Sequence, residues 1–437
     1  MLKTLKNAFK VKEIRNKILF TLGVLLVYRL GAQISVPGIN AHALTQISKT
    51  GLIPLLDTVS GGGLSNYSIF SMGVSPYITA QIIIQLLQMD IVPKFVEWGK
   101  QGEVGRRKLN QVTRYLTIAL GFFQAIGITA GFQTLSAMKL VTAPTWETYV
   151  TIGIILTGGT MLLTWMGEQI TDKGIGNGVS MIIFAGIIAR LPSGFYELYR
   201  DNITNNTASD RWQGWLFLIA LLVIIVLVVT FVTYVQQANL KVPIQYTRRV
   251  AASGTQSYLP LKVNVAGVIP VIFASSLIVT PQTILMAFQG THSGDTWYQV
   301  MNEIFSMQTT TGVVVYTVLI VLFTFFYAFV QVNPEKVAEN LTKQGSYIVG
   351  VWPGKETEKY LSSVLIRLST VGALFLGLIA LLPQLASNLW GLPQSIGLGG
   401  TSLLIVVMTA IELVRQLDGL LMKREYVGFI RDDLIRD

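Results

Sequence analysis

Ten long apolar stretches constrain what this chain of 437 residues can fold into. About 20 apolar residues in a helix cross a bilayer, because ~30 Å of hydrocarbon is covered at ~1.5 Å per residue. Only 13% of the residues are charged, whereas soluble domains carry about 25%. The sequence therefore predicts an all-α polytopic membrane protein with ten transmembrane helices and excludes an ordinary soluble enzyme. The stretches lie at 18–36, 70–89, 112–131, 147–167, 177–198, 213–235, 264–288, 312–332, 362–383 and 399–418.

The distribution of basic residues between the connections predicts the orientation of the chain. Of the 33 Lys and Arg residues, 24 fall in the two terminal segments and the even-numbered connections, and four fall in the odd-numbered connections. Lys and Arg near membrane spans stay on the cytoplasmic side. Both termini are therefore expected in the cytoplasm.

The composition excludes several kinds of chemistry. The chain has no cysteine and only two histidines, His42 and His292, both in predicted loops. Disulfides, thiolate sites and a histidine metal site are thus not expected. The glycines of 173–178 lack the spacing of a phosphate-binding loop. No nucleophile–base or carboxylate pair is arranged for catalysis, so we expect neither an enzyme nor a cofactor.

An internal repeat relates the second and seventh stretches. The pattern G-V-x-P-x-I-x-A-x-x-x-I occurs at 73–84 and again at 267–278. Each half contains five spans, an odd number, so the two copies run in opposite directions through the membrane. This is typical of an inverted repeat, in which paired Gly/Pro-interrupted segments point to the functional interface. The pattern predicts two inverted five-helix halves, 1–199 and 200–437, with a pathway along these segments. Two unrelated helices that each tolerate a proline kink remain the alternative.

The side chains along this pathway limit what passes through it. Neither 70–89 nor 264–288 contains Asp, Glu, Lys, Arg or His, whereas a small-solute transporter normally places such groups near the midplane. An aliphatic pathway binds ions and sugars poorly and seals by excluding water. An inverted-repeat secondary transporter of an apolar or weakly polar solute and a structural scaffold remain the alternatives to a channel.

Four longer segments carry a resemblance to a known family. They are 72–87 (Met-Gly-Val-Ser-Pro-Tyr-Ile-Thr-Ala-Gln-Ile-Ile-Ile-Gln-Leu-Leu), 165–180, 261–270 and 399–406. In these segments, and over essentially its whole length, the chain resembles the SecY family of bacterial protein-translocation channels. The resemblance implies a plasma-membrane channel that passes unfolded polypeptides and releases apolar segments sideways into lipid.

The resemblance also implies which residues form the pore. Six aliphatic residues would form a ring at the waist of the channel, closing around an extended peptide without binding it. An isolated aliphatic residue in such a helix is more simply core- or lipid-facing, but three of the six lie on the repeat. The ring residues are Val74, Ile78, Val179, Ile183, Ile272 and Ile405.

A short apolar segment at 52–66 would be the plug that closes the resting pore in this family. It is too short to cross the membrane and contains three consecutive glycines, which permit it to fold back. An ordinary outer loop is the alternative interpretation. The expected plug residues are Ile53, Leu55, Leu56, Val59, Gly61, Gly62 and Gly63.

A lateral gate would lie between the second and seventh spans. Gln124 and Asn264 match family positions near it, and buried amides can bond across a closed helix interface. Packing of polar groups without a gating role is the alternative.

The cytoplasmic connections at 236–261 and 333–361 would dock the SecA motor ATPase or the ribosome, which would supply energy or delivery. Lys241, Arg248 and Arg249 lie in the first connection, and Trp352 stands in the second where the family usually has Arg. Basic loops can contact RNA phosphates or acidic protein faces; a topological charge excess without any partner is the alternative and explains most such loops. The further expected partners are the SecE and SecG subunits, signal-sequence-bearing polypeptides and membrane lipid.

Overall fold

The structure is a computed structural model that describes residues 8–40, 63–64, 66–89, 91–135, 140–141, 144–200, 203, 211–246, 257–307, 309–390 and 400–433. The described residues are mostly helical. The helices are α1 Lys12–Gly31, α2 Ser75–Leu87, α3 Pro93–Lys100, α4 Glu103–Leu135, α5 Trp146–Lys173, α6 Gly178–Tyr199, α7 Arg211–Gln237, α8 Ile269–His292, α9 Thr296–Phe305, α10 Thr310–Gln331, α11 Pro334–Lys343, α12 Lys355–Trp390 and α13 Gly400–Asp433.

Helices occupy every one of the ten apolar stretches. In order, these helices are α1, α2, α4, α5, α6, α7, α8, α10, α12 and α13. By length and composition, seven of the described helices can cross a membrane, namely α4 to α8, α10 and α12. The helix α2 is apolar but has only 13 residues. The predicted helical, multi-pass membrane protein is thus confirmed.

The repeated segments begin their helices in the same way. Gly73 and Gly267 both adopt a left-handed backbone conformation, with φ of 56° and 68°. Two residues later α2 and α8 begin, each with a proline in its first turn. Proline is favoured there because the first N–H groups of a helix have no partner within the helix. The prolines therefore start these helices, whereas the sequence had indicated that they interrupt them.

Residues 8–199 and 211–433 meet along two contact regions. In the first, which we call the α8 seam, α8 packs against α2 and α4; in the second, the α6–α13 seam, α6 packs against α13. A single buried apolar cluster extends between them and includes side chains from both parts of the chain. This cluster lies where the predicted pathway would run.

A small antiparallel sheet joins two connections that the sequence predicted only as loops. It consists of β1 Asn239–Tyr246, β2 Ser257–Lys262 and β3 Ser346–Ile348 in the order β2-β1-β3. The register pairs Lys241 with Pro260 and Ile244 with Ile348. Apolar side chains of the sheet pack on α11 and on the start of α12. The two predicted docking connections therefore fold as one unit.

Candidate pore and gate

The six aliphatic residues of the predicted ring all lie in or against one large buried apolar cluster. Their side chains come from the start of α2 and from α6, α8 and α13; three are buried members of this cluster and three pack against it. Val74, Ile78 and Ile183 are 1% to 4% exposed. Val179, Ile272 and Ile405 are half-buried and pack against the same cluster. An apolar contact of this kind holds water out without offering a hydrogen bond to anything that passes.

The α8 seam contains a buried polar network. Gln124 Nε2 on α4 donates to Thr280 Oγ1 on α8 at 2.8 Å, and Thr79 Oγ1 on α2 lies 3.1 Å from the same Thr280 oxygen. All three residues are buried. Gln124 therefore lies at the contact between α4 and α8. Three helices meet at a single hydroxyl group.

Thr79 and Thr280 are candidate gate residues that the sequence did not reveal. They do not correspond in the repeat, because the position equivalent to Thr79 is occupied by Phe273. Each hydroxyl also lies within hydrogen-bond distance of a carbonyl four residues earlier in its own helix. Since threonines in apolar helices commonly make this local bond, neither threonine stood out.

Glycines on α4 bring it close to α8 along this seam. A Cβ atom at Gly127 would lie 2.8 Å from the Thr283 carbonyl oxygen, and one at Gly131 would lie 2.5 Å from Met286 Cβ. Small residues at such positions allow helix backbones in membranes to approach closely. The Gln124–Thr280 bond thus lies beside a tightly packed helix pair.

Asn264 has a different role from Gln124 in the structure. Its Oδ1 accepts from the Gly267 N–H at 3.2 Å, and its Nδ2 donates to the Gly267 carbonyl at 3.1 Å. At the equivalent place in the first repeat, the Phe70 carbonyl accepts from the Gly73 N–H at 2.8 Å. The side chain of Asn264 therefore accepts the hydrogen bond that a backbone carbonyl accepts before α2. It positions the start of α8.

Of the predicted plug residues, only Gly63 is described; Ile53, Leu55, Leu56, Val59, Gly61 and Gly62 lie outside the described residues. The flanking backbone is held on both sides. The Asn40 N–H bonds the Leu140 carbonyl, and the Ser68 N–H bonds the Gly63 carbonyl. The Val36 N–H bonds the Tyr67 carbonyl, which ties the two flanks together. The residues on both sides of 41–62 are thus joined by backbone hydrogen bonds.

Two of the four predicted docking residues are described and both are exposed. Lys241 projects from β1, and Trp352 is 81% exposed. The turn around Trp352 is flanked by Gly350 and Gly354 in left-handed conformations. Arg248 and Arg249 lie outside the described residues. The sheet unit therefore presents a large aromatic side chain on its surface.

Comparison with known proteins agrees with this geometry. The family model for SecY matches residues 68–414. The protein translocase subunit SecY 1 of Lactobacillus kefiranofaciens subsp. kefiranofaciens is 71% identical, covering 99% of this chain and all of the relative. The protein translocase subunit SecY of Bacillus subtilis (strain 168) is 51% identical over the same shares.

Solved structures share the fold. A protein-conducting channel aligns with a TM-score of 0.61 at 19% identity, covering 92% of this chain and 91% of that one. Sec61 in a canine ribosome–channel complex aligns with a TM-score of 0.57, also at 19% identity and with the same coverage. From the matched family model and from relatives that span its length, the chain belongs to the SecY family.

Proposed function

We propose that this chain is the pore subunit of a protein translocase, a protein-conducting channel that passes unfolded polypeptides across the plasma membrane. The observation that supports the proposal is that six aliphatic side chains from four helices lie in or against one buried apolar cluster. A polypeptide of any sequence must cross such a site without being held. Aliphatic groups suit this task because they make no directional bonds.

The proposed architecture is ten transmembrane helices in two inverted halves, residues 1–199 and 200–437. The shared turn at Gly73 and Gly267 supports it, because both glycines are left-handed and both precede a helix with proline in its first turn. The distribution of Lys and Arg supports cytoplasmic termini. The residues around 52–66 would act as the plug, hinged on the anchored backbone at Gly63 and Asn40.

The α8 seam is the proposed lateral gate. Opening it would separate Thr280 from Gln124 and Thr79, which are joined by contacts of 2.8 and 3.1 Å. Hydrogen bonds between helices in membranes contribute only about 0.6–2 kcal/mol each. A sufficiently apolar signal sequence can offset a cost of that size by entering lipid. The gate would thus sort segments by their transfer free energy.

The proposed energy source is a partner, the SecA ATPase or the ribosome, because the channel itself is not an enzyme. Docking on the sheet unit is supported by exposed Lys241 and Trp352, and Arg248 and Arg249 are proposed to take part. A structural relative, Sec61, was solved in a ribosome–channel complex. SecE and SecG are the proposed companion subunits.

Ion leakage through resting channels tests the ring directly. Reconstituted vesicles carrying Ile78→Asn should lose an ion gradient faster than wild-type vesicles, because a polar amide in the apolar ring would allow water to enter it. Ile78→Val is the matched control, because it keeps an apolar side chain at nearly the same volume and should leave the leak unchanged. Equal leakage of the Asn variant and wild type would place the seal elsewhere.

A further inference from the structure

A short helix at the membrane face opposite the sheet exposes an apolar stripe that the channel function does not use. The helix α9 joins the end of α8 to the start of α10. The sheet lies at the other ends of these two helices, because β2 precedes α8 and β3 follows α10. Since α8 and α10 are membrane-spanning candidates, this connectivity places α9 at the level of the opposite bilayer surface.

The side chains of α9 divide into three directions around the helix. Tyr298 is 7% exposed and packs toward the protein. Trp297, Val300 and Met301 share another face at helical spacing and are 43% to 48% exposed. Asn302 is among the polar side chains on the remaining side. A helix with separate protein-facing, apolar and polar sides is suited to lying in an interface plane.

The indole of Trp297 is held in place. Its Nε1 donates to Asp295 Oδ2 at 3.2 Å, and its ring packs on Phe288 and His292 with centroid distances of 6.2 and 5.7 Å. The polar edge is thus directed to a carboxylate while the ring remains half-exposed. A Trp side chain with its N–H bonded to a polar group and its ring in apolar surroundings is typical of the membrane–water boundary.

The flanking spans expose apolar side chains of their own, and one of these, Phe288, packs on Trp297. Phe288 on α8 is 42% exposed, and Val314 and Val318 on α10 are 56% and 57% exposed. Between 293 and 306 the sequence carries Asp295 and Glu303 but no Lys or Arg. An acidic connection does not gain from an anionic surface, so attraction to the membrane here must come from apolar burial.

We propose that α9 is an interfacial anchor whose Trp297, Val300 and Met301 enter the acyl-chain boundary of the bilayer. Its partner is the lipid itself, and the interaction does not require anionic headgroups. Because α9 follows directly on α8, it would tie the end of this helix to the interface. The proposal does not depend on the passage of polypeptides through the ring.

The absence of native cysteine makes a depth measurement direct. Val300→Cys, Asn302→Cys and Val318→Cys, each labelled with the environment-sensitive fluorophore NBD, would be reconstituted separately in phosphatidylcholine vesicles. Brominated phosphatidylcholine quenches labels in the acyl region, and aqueous iodide quenches labels in water. Val300 should lose fluorescence to the brominated lipid as the spanning position Val318 does, while Asn302 should lose it to iodide.

Three results would overturn the anchor. Iodide quenching of the Val300 label equal to that of Asn302 would place α9 in water. Protection of the Val300 label from both quenchers would mean that protein covers the stripe. Quenching by brominated lipid only when phosphatidylglycerol is added would show that headgroup charge, and not apolar burial, brings the helix to the membrane.

Discussion

The two seams between residues 8–199 and 211–433 differ in chemistry. At the α8 seam, Gln124 and Thr79 meet the hydroxyl of Thr280 in a buried network. At the α6–α13 seam, Ile183 and Leu404 belong to the apolar cluster. Water or a peptide group can replace the bonds of the first seam, whereas an apolar contact offers no bond to replace. This difference supports our proposal that the α8 seam opens while the α6–α13 seam stays closed.

Locking the α8 seam should have the largest effect. In Thr79→Cys/Thr280→Cys the two sulfur atoms would stand where oxygens now lie 3.1 Å apart, close enough for a disulfide after small adjustment. Oxidation should abolish translocation in reconstituted vesicles, and a reducing agent should restore it. Each single Cys variant should be unaffected by oxidation.

A cross-link inside one half is the matched control for that experiment. A Cβ at Gly121 on α4 would lie 3.5 Å from Thr157 Cγ2 on α5, so Gly121→Cys/Thr157→Cys joins two helices that stay on the same side of the seam. This disulfide should leave translocation intact. Loss of activity in both oxidised pairs would mean that general rigidity, and not the α8 seam, limits transport.

Weakening the α8 seam should have a smaller effect with the opposite sign. Gln124→Ala removes the donor to Thr280 and should lower the cost of opening by about 1 kcal/mol, which corresponds to about fivefold in an equilibrium. Precursors with weakened signal sequences should then be exported more readily. Gln111→Ala, at an exposed position on the same helix, should leave the export of these precursors unchanged. Equal gains in both variants would show that the increase does not come from the α8 seam.

The smallest effect is expected at the edge of the α6–α13 seam. The Gly176 N–H donates to Gln416 Oε1 at 2.7 Å in an exposed position. Gln416→Ala should change the thermal stability of the detergent-solubilised protein by about 0.5 kcal/mol or less. It should not alter the export of precursors with weakened signal sequences. A gain in the export of these precursors as large as that of Gln124→Ala would remove the distinction between the two seams.

Hydropathy was sufficient to locate the helices but not the way in which they begin and meet. The apolar stretch at 70–89 contains a helix, yet Pro76 starts it because Gly73 turns the chain immediately before. Thr79 and Thr280 meet only through the packing register of α2 on α8, which sequence spacing does not encode. The six ring positions carried over from the family motifs lie in or against one apolar cluster, and their role as a ring stays a prediction.

The sheet was missed for a different reason. Pro243 and Pro260 lie within β1 and β2, and proline in a short apolar run argues against a strand. The pairing of Ile244 with Ile348 joins segments from two connections far apart in the chain. Alternating apolar residues at 242, 244, 259 and 261 were the available signal. This long-range pairing depends on the packing of α8 against α10, which brings the two connections together.

The central claim is that polypeptide passes through the aliphatic ring. Ile78→Cys would supply the only thiol of the chain; it would be reconstituted with SecE and SecA and given a secretory precursor that carries one cysteine and stalls in transit. Oxidation should cross-link the precursor to position 78 only after ATP has driven it partway. A precursor shown to be stalled inside the vesicle membrane that never cross-links to this position would contradict the account.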